Sequence, residues 1–361
     1  MSPDGWDRVR EVLVVRLDNI GDVVMAGPAI RTIKNALPEA RITMMASKAG
    51  SRIAPLVPHV DGVLTHRAVW QDLWGAVPQE AARDDELVEE LRRGGFDAAV
   101  ILTSFSQSPW PPAYACWRAG IPIRIGQSLE FGGSLLTQWV RPPAKEAHQV
   151  DRNLHLLREA GFEPADRSLE LAVPADTDAA ARGLLRGIGI DAERPFVAVA
   201  PFATCEARSY ASDRFAEVIR RVTSDAHVPA VVLGGERETG QAKALLALTR
   251  GYPVHSLVGR ATVAEQAAVI GRGAIMLTND SGPMHIADAF QRPAVVLFSG
   301  TELEEQWRPR TTEAVLLRRE TDCSPCYAFD CPRAKECLDI PPEEVVGHAM
   351  RLLEKAALTA A

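Results

Sequence analysis

The chain has 361 residues, 47% of them hydrophobic and 24% charged, a balance that excludes the disordered and collagen-like classes. At roughly 150 residues per domain the length suits two domains, each large enough for its own core. The net charge of -7 divides evenly, with 19 basic and 22 acidic residues before Pro174 and 21 and 25 from there on, which excludes a general nucleic-acid binder but leaves room for a local basic pocket.

The 6 Lys against 34 Arg point to a GC-rich coding bias. No apolar run reaches the ~20 residues needed to span a bilayer, so no transmembrane segment is expected. Met1 to Arg10 lacks the apolar core of a signal peptide. The expected location is the cytoplasm, with a peripheral place at the inner face of the membrane left open. The six Cys are then thiols or ligands rather than disulfides.

In chain order, Val12 to Val15 is a short β-branched run suited to a buried parallel strand. The turn Asp18-Asn19-Ile20-Gly21-Asp22 follows it, then one helix from Val23 to Ala36. Further strands are expected at Ile42 to Ala46, Gly62 to Thr65 and Ala98 to Leu102, and helices at Asp84 to Arg93, Pro112 to Ala119 and Val150 to Ala160. The pattern restarts after Pro174. A strand at Phe196 to Ala200 leads into a long loop, and Ser212-Asp213-Arg214-Phe215 opens a helix, with Asp213 or Ser212 able to cap it. Strands at Ala230 to Leu233, Ala274 to Thr278 and Ala294 to Phe298 close the series. Two successive series of strand–helix units predict two doubly wound α/β domains with a ligand in the cleft between them.

Three loops carry candidate chemistry. The first turn offers Asp18 and Asp22 at a strand's carboxyl end. A carboxylate there can take a proton from a hydroxyl, and equally Asp22 can simply cap the helix. The turn has no G-x-G-x-x-G fingerprint. The second is Thr278 to His285, where Ser281, Gly282 and a helix N-terminus form a phosphate-binding geometry, with His285 one turn on. A capped helix with a packed His explains it as well. The third is Pro201 to Tyr210, with Thr204 and Arg208 beyond a strand end. Arg208 offers a fork of donors for a phosphate or an ordinary surface ion pair.

Taken together, these loops resemble glycosyltransferase family 9, the lipopolysaccharide heptosyltransferases. The stretch VLVVRLDNIGDVVMAGPAIRTIK is similar to the family's opening strand, Gly-Asp turn and helix. VGRATVAEQAAVIGRGAIMLTNDSGPMHIADAF, followed by RPAVVLFSGT, is similar to its nucleotide-sugar region. The resemblance implies a GT-B fold of two Rossmann-like domains, residues 1–174 for the acceptor and residues 175–361 for the donor, the last helix being free to pack back on the first domain. It makes Asp22 the general base, and Asp18 and Asn19 of the same turn are expected on the acceptor side. It assigns Thr204, Arg208, Glu238, Ala261, Asp280, Ser281, Gly282 and His285 to the donor. Arg208 stands where the family usually has Lys, and Tyr210 where it has Trp. Glu238, with Glu236 as the competing choice, takes the ribose hydroxyls, and Gly259 to Thr262 borders the adenine. The implied reaction is inverting transfer of a sugar, a heptose above others, from a nucleotide-diphosphate donor such as ADP-heptose. The acceptor is a hydroxyl of a lipopolysaccharide core, another saccharide or a soluble natural product. Neither a metal nor another cofactor is assigned a role.

Cys323, Cys326, Cys331 and Cys337, spaced C-x2-C-x4-C-x5-C, could hold zinc or iron or act as a structural clip. Cys116 and Cys205 read as ordinary thiols. Six of the seven Trp precede Pro174, at positions 6, 70, 74, 110, 117 and 139; most read as core, and Trp110 is the one assigned to the acceptor. Two other readings stand beside the transferase: a two-domain sugar-nucleotide epimerase, and a non-catalytic nucleotide-binding module with a Cys metal clip.

Overall fold

The computed structural model describes residues 5–72, 75–164 and 166–360, the side chains of residues 359 and 360 excepted; Trp74 lies outside the described residues. Two compact units are present, Met1–Ala172 and Val173–Ala361.

The first unit runs β1 (Glu11–Arg16), α1 (Ile20–Val24), α2 (Gly27–Ala36), β2 (Arg41–Ala46), β3 (Gly62–Thr65), α3 (Ala81–Gly94), β4 (Ala98–Ile101), α4 (Trp110–Arg118), β5 (Ile123–Gln127), β6 (Gln138–Val140) and α5 (Gln149–Glu159). Its six strands are all parallel, in the order β3-β2-β1-β4-β5-β6. β4 is buried along its whole length and β1 at all but its first residue. That is why both read as unbroken apolar runs rather than alternating ones.

The second unit runs α6 (Ala175–Gly187), β7 (Val197–Ala200), α7 (Ser212–Ala226), β8 (Ala230–Val232), α8 (Thr239–Leu248), β9 (Val254–Ser256), α9 (Val263–Arg272), β10 (Ile275–Asn279), α10 (Gly282–Ala289), β11 (Ala294–Leu297), α11 (Glu304–Trp307), β12 (Ala314–Leu317) and α12 (Pro342–Ala360). Its strands are again all parallel, ordered β12-β11-β10-β7-β8-β9. α7 buries Phe215, Val218, Ile219 and Val222 at helical spacing against this sheet's core. α12 packs against α7, β10 and β11. No helix among the described residues is long and apolar enough to cross a membrane.

Both sheets reverse direction once. The first turns at the β1/β4 boundary and the second at β7/β10. In open α/β sheets the crevice beyond the carboxyl ends of the strands at such a switch point is where ligands bind. The two switch points select the loops after β1 and β4 in one unit and after β7 and β10 in the other.

Several sequence expectations need correction. The helix expected from Val23 to Ala36 is two helices, α1 and α2, with Pro28 near the start of the second; a Pro there needs no N–H and opens a new helix. Neither Ser212 nor Asp213 is the N-cap of α7; Ala211 is, with no side-chain cap. β11 does not close the second sheet, because β12 lies outside it. β5, β6 and β9 are short strands of mixed polarity, and no periodic signal marks them.

Candidate active site

The first switch point gathers its polar groups around Arg16, the last residue of β1, whose side chain is fully buried. Its Nε lies 3.1 Å from Asp18 Oδ2, and its Nη2 lies 2.6 Å from Asp22 Oδ1. The same Nη2 donates to Ser104 Oγ at 2.8 Å, from the loop after β4. The other Asp22 oxygen accepts the Asn19 backbone N–H at 3.1 Å. Asp22 therefore does brace the start of α1, as the bland reading had it, while its side chain stays 13% exposed. An ionised carboxylate has about four acceptor positions, so both oxygens keep a lone pair for a ligand.

Asp18 turns inward. Its carboxylate meets Arg16 and accepts the Gln107 side-chain amide, and Gln107 is itself fixed by the Ser104 N–H at 2.8 Å. Burial pushes the Asp18 carboxyl above the usual range; Arg16 opposes this and the charge of Asp22 adds to it. Arg16 pays for its own burial, but its two carboxylate neighbours leave it raised. Arg152 on α5, buried nearby and bonded to the Thr103 carbonyl at 3.2 Å, is lowered to about 10 by burial and the charge of Arg16. Asn19 is exposed. Trp110 is half-buried, its ring packed where a side chain on Gly132 would otherwise sit.

At the second switch point Asp280 follows β10 and is only 5% exposed. Ser299 Oγ donates to its Oδ2 at 2.9 Å, and its Oδ1 is buried with no hydrogen-bond partner among the described residues. Burial pushes its carboxyl up to about 7, against the pull of Arg208 and Ser299. Arg208 ends a single 3-10 turn after β7 and pairs with Glu302 at 2.7 Å. Ser281 is the N-cap of α10. Its hydroxyl makes only a long 3.4 Å bond to the Asn279 carbonyl, and the first N–H groups of a helix have no partner within it. Gly282 begins that helix, and His285, one turn on, is buried. Asn279 locks the two loops together, accepting the Tyr210 N–H at 3.1 Å and donating to the Pro201 carbonyl at 2.8 Å.

Thr204 is exposed in the same loop as Arg208. Glu238 is half-buried after β8, whereas Glu236 is exposed; a Cβ on Gly235 would stand 2.9 Å from Glu238 Oε2, so a larger residue there would displace the tip of that side chain. Gly259 has φ +70°, the left-handed region that favours glycine. It turns the chain toward Ala261, whose carbonyl accepts Gln266 Nε2 at 3.0 Å.

The four clustered cysteines line one cavity of about 20 Å³ together with Gly300, Thr301 and Ala207. Their segment is strapped to the loops after β11 and β7. Cys326 N–H donates to the Gly300 carbonyl at 3.0 Å, and Ala207 N–H donates to the Phe329 carbonyl at 3.0 Å. Among the described residues no group of three or more His, Cys, Asp or Glu is arranged to hold a metal ion. Burial pushes the Cys116 thiol up to about 12 and raises that of Cys205. Asp176-Thr177-Asp178 lies in the first turn of α6, where Asp178 pairs with Arg272 at 2.7 Å and with Arg182 at 2.9 Å.

The pattern of "Glycosyltransferase family 9 (heptosyltransferase)" matches residues 85–336. The chain belongs to glycosyltransferase family 9. Among family relatives it is 23% identical to lipopolysaccharide heptosyltransferase 3 of Escherichia coli K12, over 94% of this chain and 97% of that one. It is 25% identical to lipopolysaccharide heptosyltransferase 2 of the same organism, over 95% and 98%. In structure it is similar to the family 9 glycosyl transferase of Veillonella parvula, with a TM-score of 0.79 at 19% identity, covering 98% of this chain and 99% of that one. It is also similar to E. coli ADP-heptose lps heptosyltransferase II, with a TM-score of 0.76 at 23% identity, covering 96% and 99%. The fold is the α/β GT-B class.

Sequence reasoning missed the partners that hold these groups: Arg16, Ser104 and Gln107 in the first unit, Ser299 and Glu302 in the second. Arg16 had a signal, since a cation ending an apolar strand is rarely buried unless paired. Ser299 and Glu302 follow β11, at the end of the stretch RPAVVLFSGT and just beyond it, where no single residue stands out from the sequence.

Proposed function

We propose that this chain is an inverting heptosyltransferase, moving a heptose from ADP-heptose to a hydroxyl of a saccharide acceptor. One observation carries the reading most: loops from neighbouring β7 and β10 bring Arg208 and the buried Asp280 to the start of α10. A cation and free backbone N–H groups suit a diphosphate, and an orphaned carboxylate oxygen suits a sugar hydroxyl. In this reading Arg208, Ser281, Gly282 and Thr204 take the diphosphate, and Asp280 and His285 take the sugar. Glu238 takes the ribose and Ala261 borders the base.

The acceptor side is the first unit, with Asn19 and Trp110 as contacts. Asp22 removes the proton of the acceptor hydroxyl. The oxygen forms its bond to the anomeric carbon as the bond from that carbon to the diphosphate breaks, and ADP leaves. Attack from the opposite face inverts the anomeric centre. The negative charge gathering on the leaving group is met by Arg208, Ser281 and the N-terminal end of α10, so no metal is given a role. The relatives' names favour a lipopolysaccharide-core acceptor, reached from the cytoplasmic side.

Thermal shift tests the donor half. Ligand binding to the folded state raises stability by mass action, so ADP and ADP-sugars are expected to raise the melting temperature more than UDP- or GDP-sugars. A larger shift with UDP-sugars contradicts the assignment of the base. For the acceptor half, Trp110→Leu is expected to raise the acceptor KM several-fold, about 1 kcal/mol of lost contact, with donor affinity unchanged. An unchanged acceptor KM removes Trp110 from the site.

A further inference from the structure

We propose that Asp18 is a positioning residue for the transfer, keeping Asp22 basic by drawing off part of the charge of the Arg16 guanidinium. The inference rests on Asp22 being the base, as proposed above. Its geometry is one buried cation between two carboxylates: Asp18 on Nε at 3.1 Å and Asp22 on Nη2 at 2.6 Å.

A base locked one-to-one to a buried guanidinium is a poor base. An opposite charge at such a distance lowers a carboxyl pKa by about 1–3 units, and the rate of proton removal falls with basicity. The structure avoids that pairing. Asp18 lies against Nε of the same guanidinium, and Gln107 holds it there. The three charges sum to one negative charge rather than zero, so a proton arriving at Asp22 is not opposed by an unshared cation. Asp18 stands under opposing influences: burial raises its carboxyl, Arg16 pulls it down, and the charge of Asp22 raises it.

Other charges around the cluster are few. Arg152 approaches from α5 and repels Arg16. Lys145 stands 5.7 Å over the ring of Phe105, next to Ser104. The turn packed against α1 contributes Lys48 and Arg52, both exposed. The remaining groups in contact are neutral: Ser104, Gln107 and the Asn19 N–H.

The test is the pH profile of kcat/KM for the acceptor at saturating donor, using ADP-heptose and deacylated lipopolysaccharide core. Asp18→Asn leaves Arg16 wholly to Asp22. Its acid limb is expected to move down by about one pH unit, with the plateau about threefold lower. Arg16→Gln removes the shared cation, and its acid limb is expected to move up; Arg16→Lys restores it toward wild type. If Arg16→Gln does not fold, Asp18→Asn decides alone. A 13C NMR titration of the Asp22 carboxyl in the wild type and in Asp18→Asn reads the same downward shift without turnover.

A merely structural role for Asp18 would lower the rate at every pH and leave the acid limb and the Asp22 titration in place; that result overturns the proposal. Asp280 is common to all variants, so displacements are read against the wild type. Asp22→Asn separates the two claims: if it turns over at the wild-type rate, the base assignment fails, whatever Asp18→Asn does. If it is inactive and Asp18→Asn shows no displacement, only the present inference fails.

Discussion

Asp22→Asn is expected to lower kcat by about 10²-fold or more while donor affinity stays within about twofold, because general-base catalysis contributes on this scale. Asparagine keeps an oxygen for the Asn19 N–H that Asp22 now accepts at 3.1 Å, so the start of α1 remains braced. What it loses is the proton acceptor and one of the two negative charges on Arg16. Arg16 keeps the Asp18 carboxylate at 3.1 Å and its hydrogen bond to Ser104 Oγ. The fold should therefore survive, which a melting curve checks. The kinetic signature is a fall in kcat with donor dissociation, measured by calorimetry, unchanged. A parallel loss of donor binding instead would mean that Asp22 supports the structure rather than the chemistry.

The second large effect is expected at Arg208. Arg208→Ala should weaken ADP-sugar binding by about 10²-fold, since hydrogen bonds to charged groups contribute about 1.5–3 kcal/mol each. Part of that loss is indirect. Arg208 holds Glu302 at 2.7 Å, and the Glu302 side chain is only 18% exposed. Removing the cation leaves that carboxylate beside an incoming diphosphate. Glu302→Gln in the Arg208→Ala background should therefore recover part of the affinity. Arg208→Lys keeps the charge without the fork, and a smaller loss of about tenfold is expected. Calorimetry with ADP alone measures all three, and unchanged affinity in Arg208→Ala would remove the residue from the donor site.

The legible parts of the fold are the ones where a single physical demand decides the residues. β1, β4, β7, β10 and β11 are buried strands of parallel sheets, so their apolar runs stand out, and Gly62 to Thr65 is found at its expected limits. The edge strands β6 and β9 are three residues each, of mixed polarity and partly exposed, which leaves them no pattern to read; β12 carries an apolar run, Ala314 to Leu317, that is absent from the strands expected from the sequence. The break between α1 and α2 falls at Met25-Ala26, just before Gly27-Pro28, inside an apolar periodicity that runs straight through it.

In the site, side chains following β1, β7 and β10 could be named from their loops, because small and polar residues there interrupt apolar runs. Their partners could not be named. Ser104 lies 88 residues from Arg16, and Glu302 lies 94 residues from Arg208, and only sheet order brings each pair together. The inward turn of Asp18 was equally hidden, since it depends on Gln107, 89 residues away. Trp117 and Trp139, half-exposed at 51% and 40%, show that tryptophan content alone does not sort core from surface.

The most direct test is the release of ADP from ADP-heptose by wild type and Asp22→Asn, with and without deacylated lipopolysaccharide core. The expected result is rapid release by the wild type only when the acceptor is present, one ADP for each inverted heptosyl linkage formed, and loss of that release in Asp22→Asn. Conversion of the donor at equal rates without acceptor, as an epimerase or hydrolase would show, or undiminished transfer by Asp22→Asn, would contradict it.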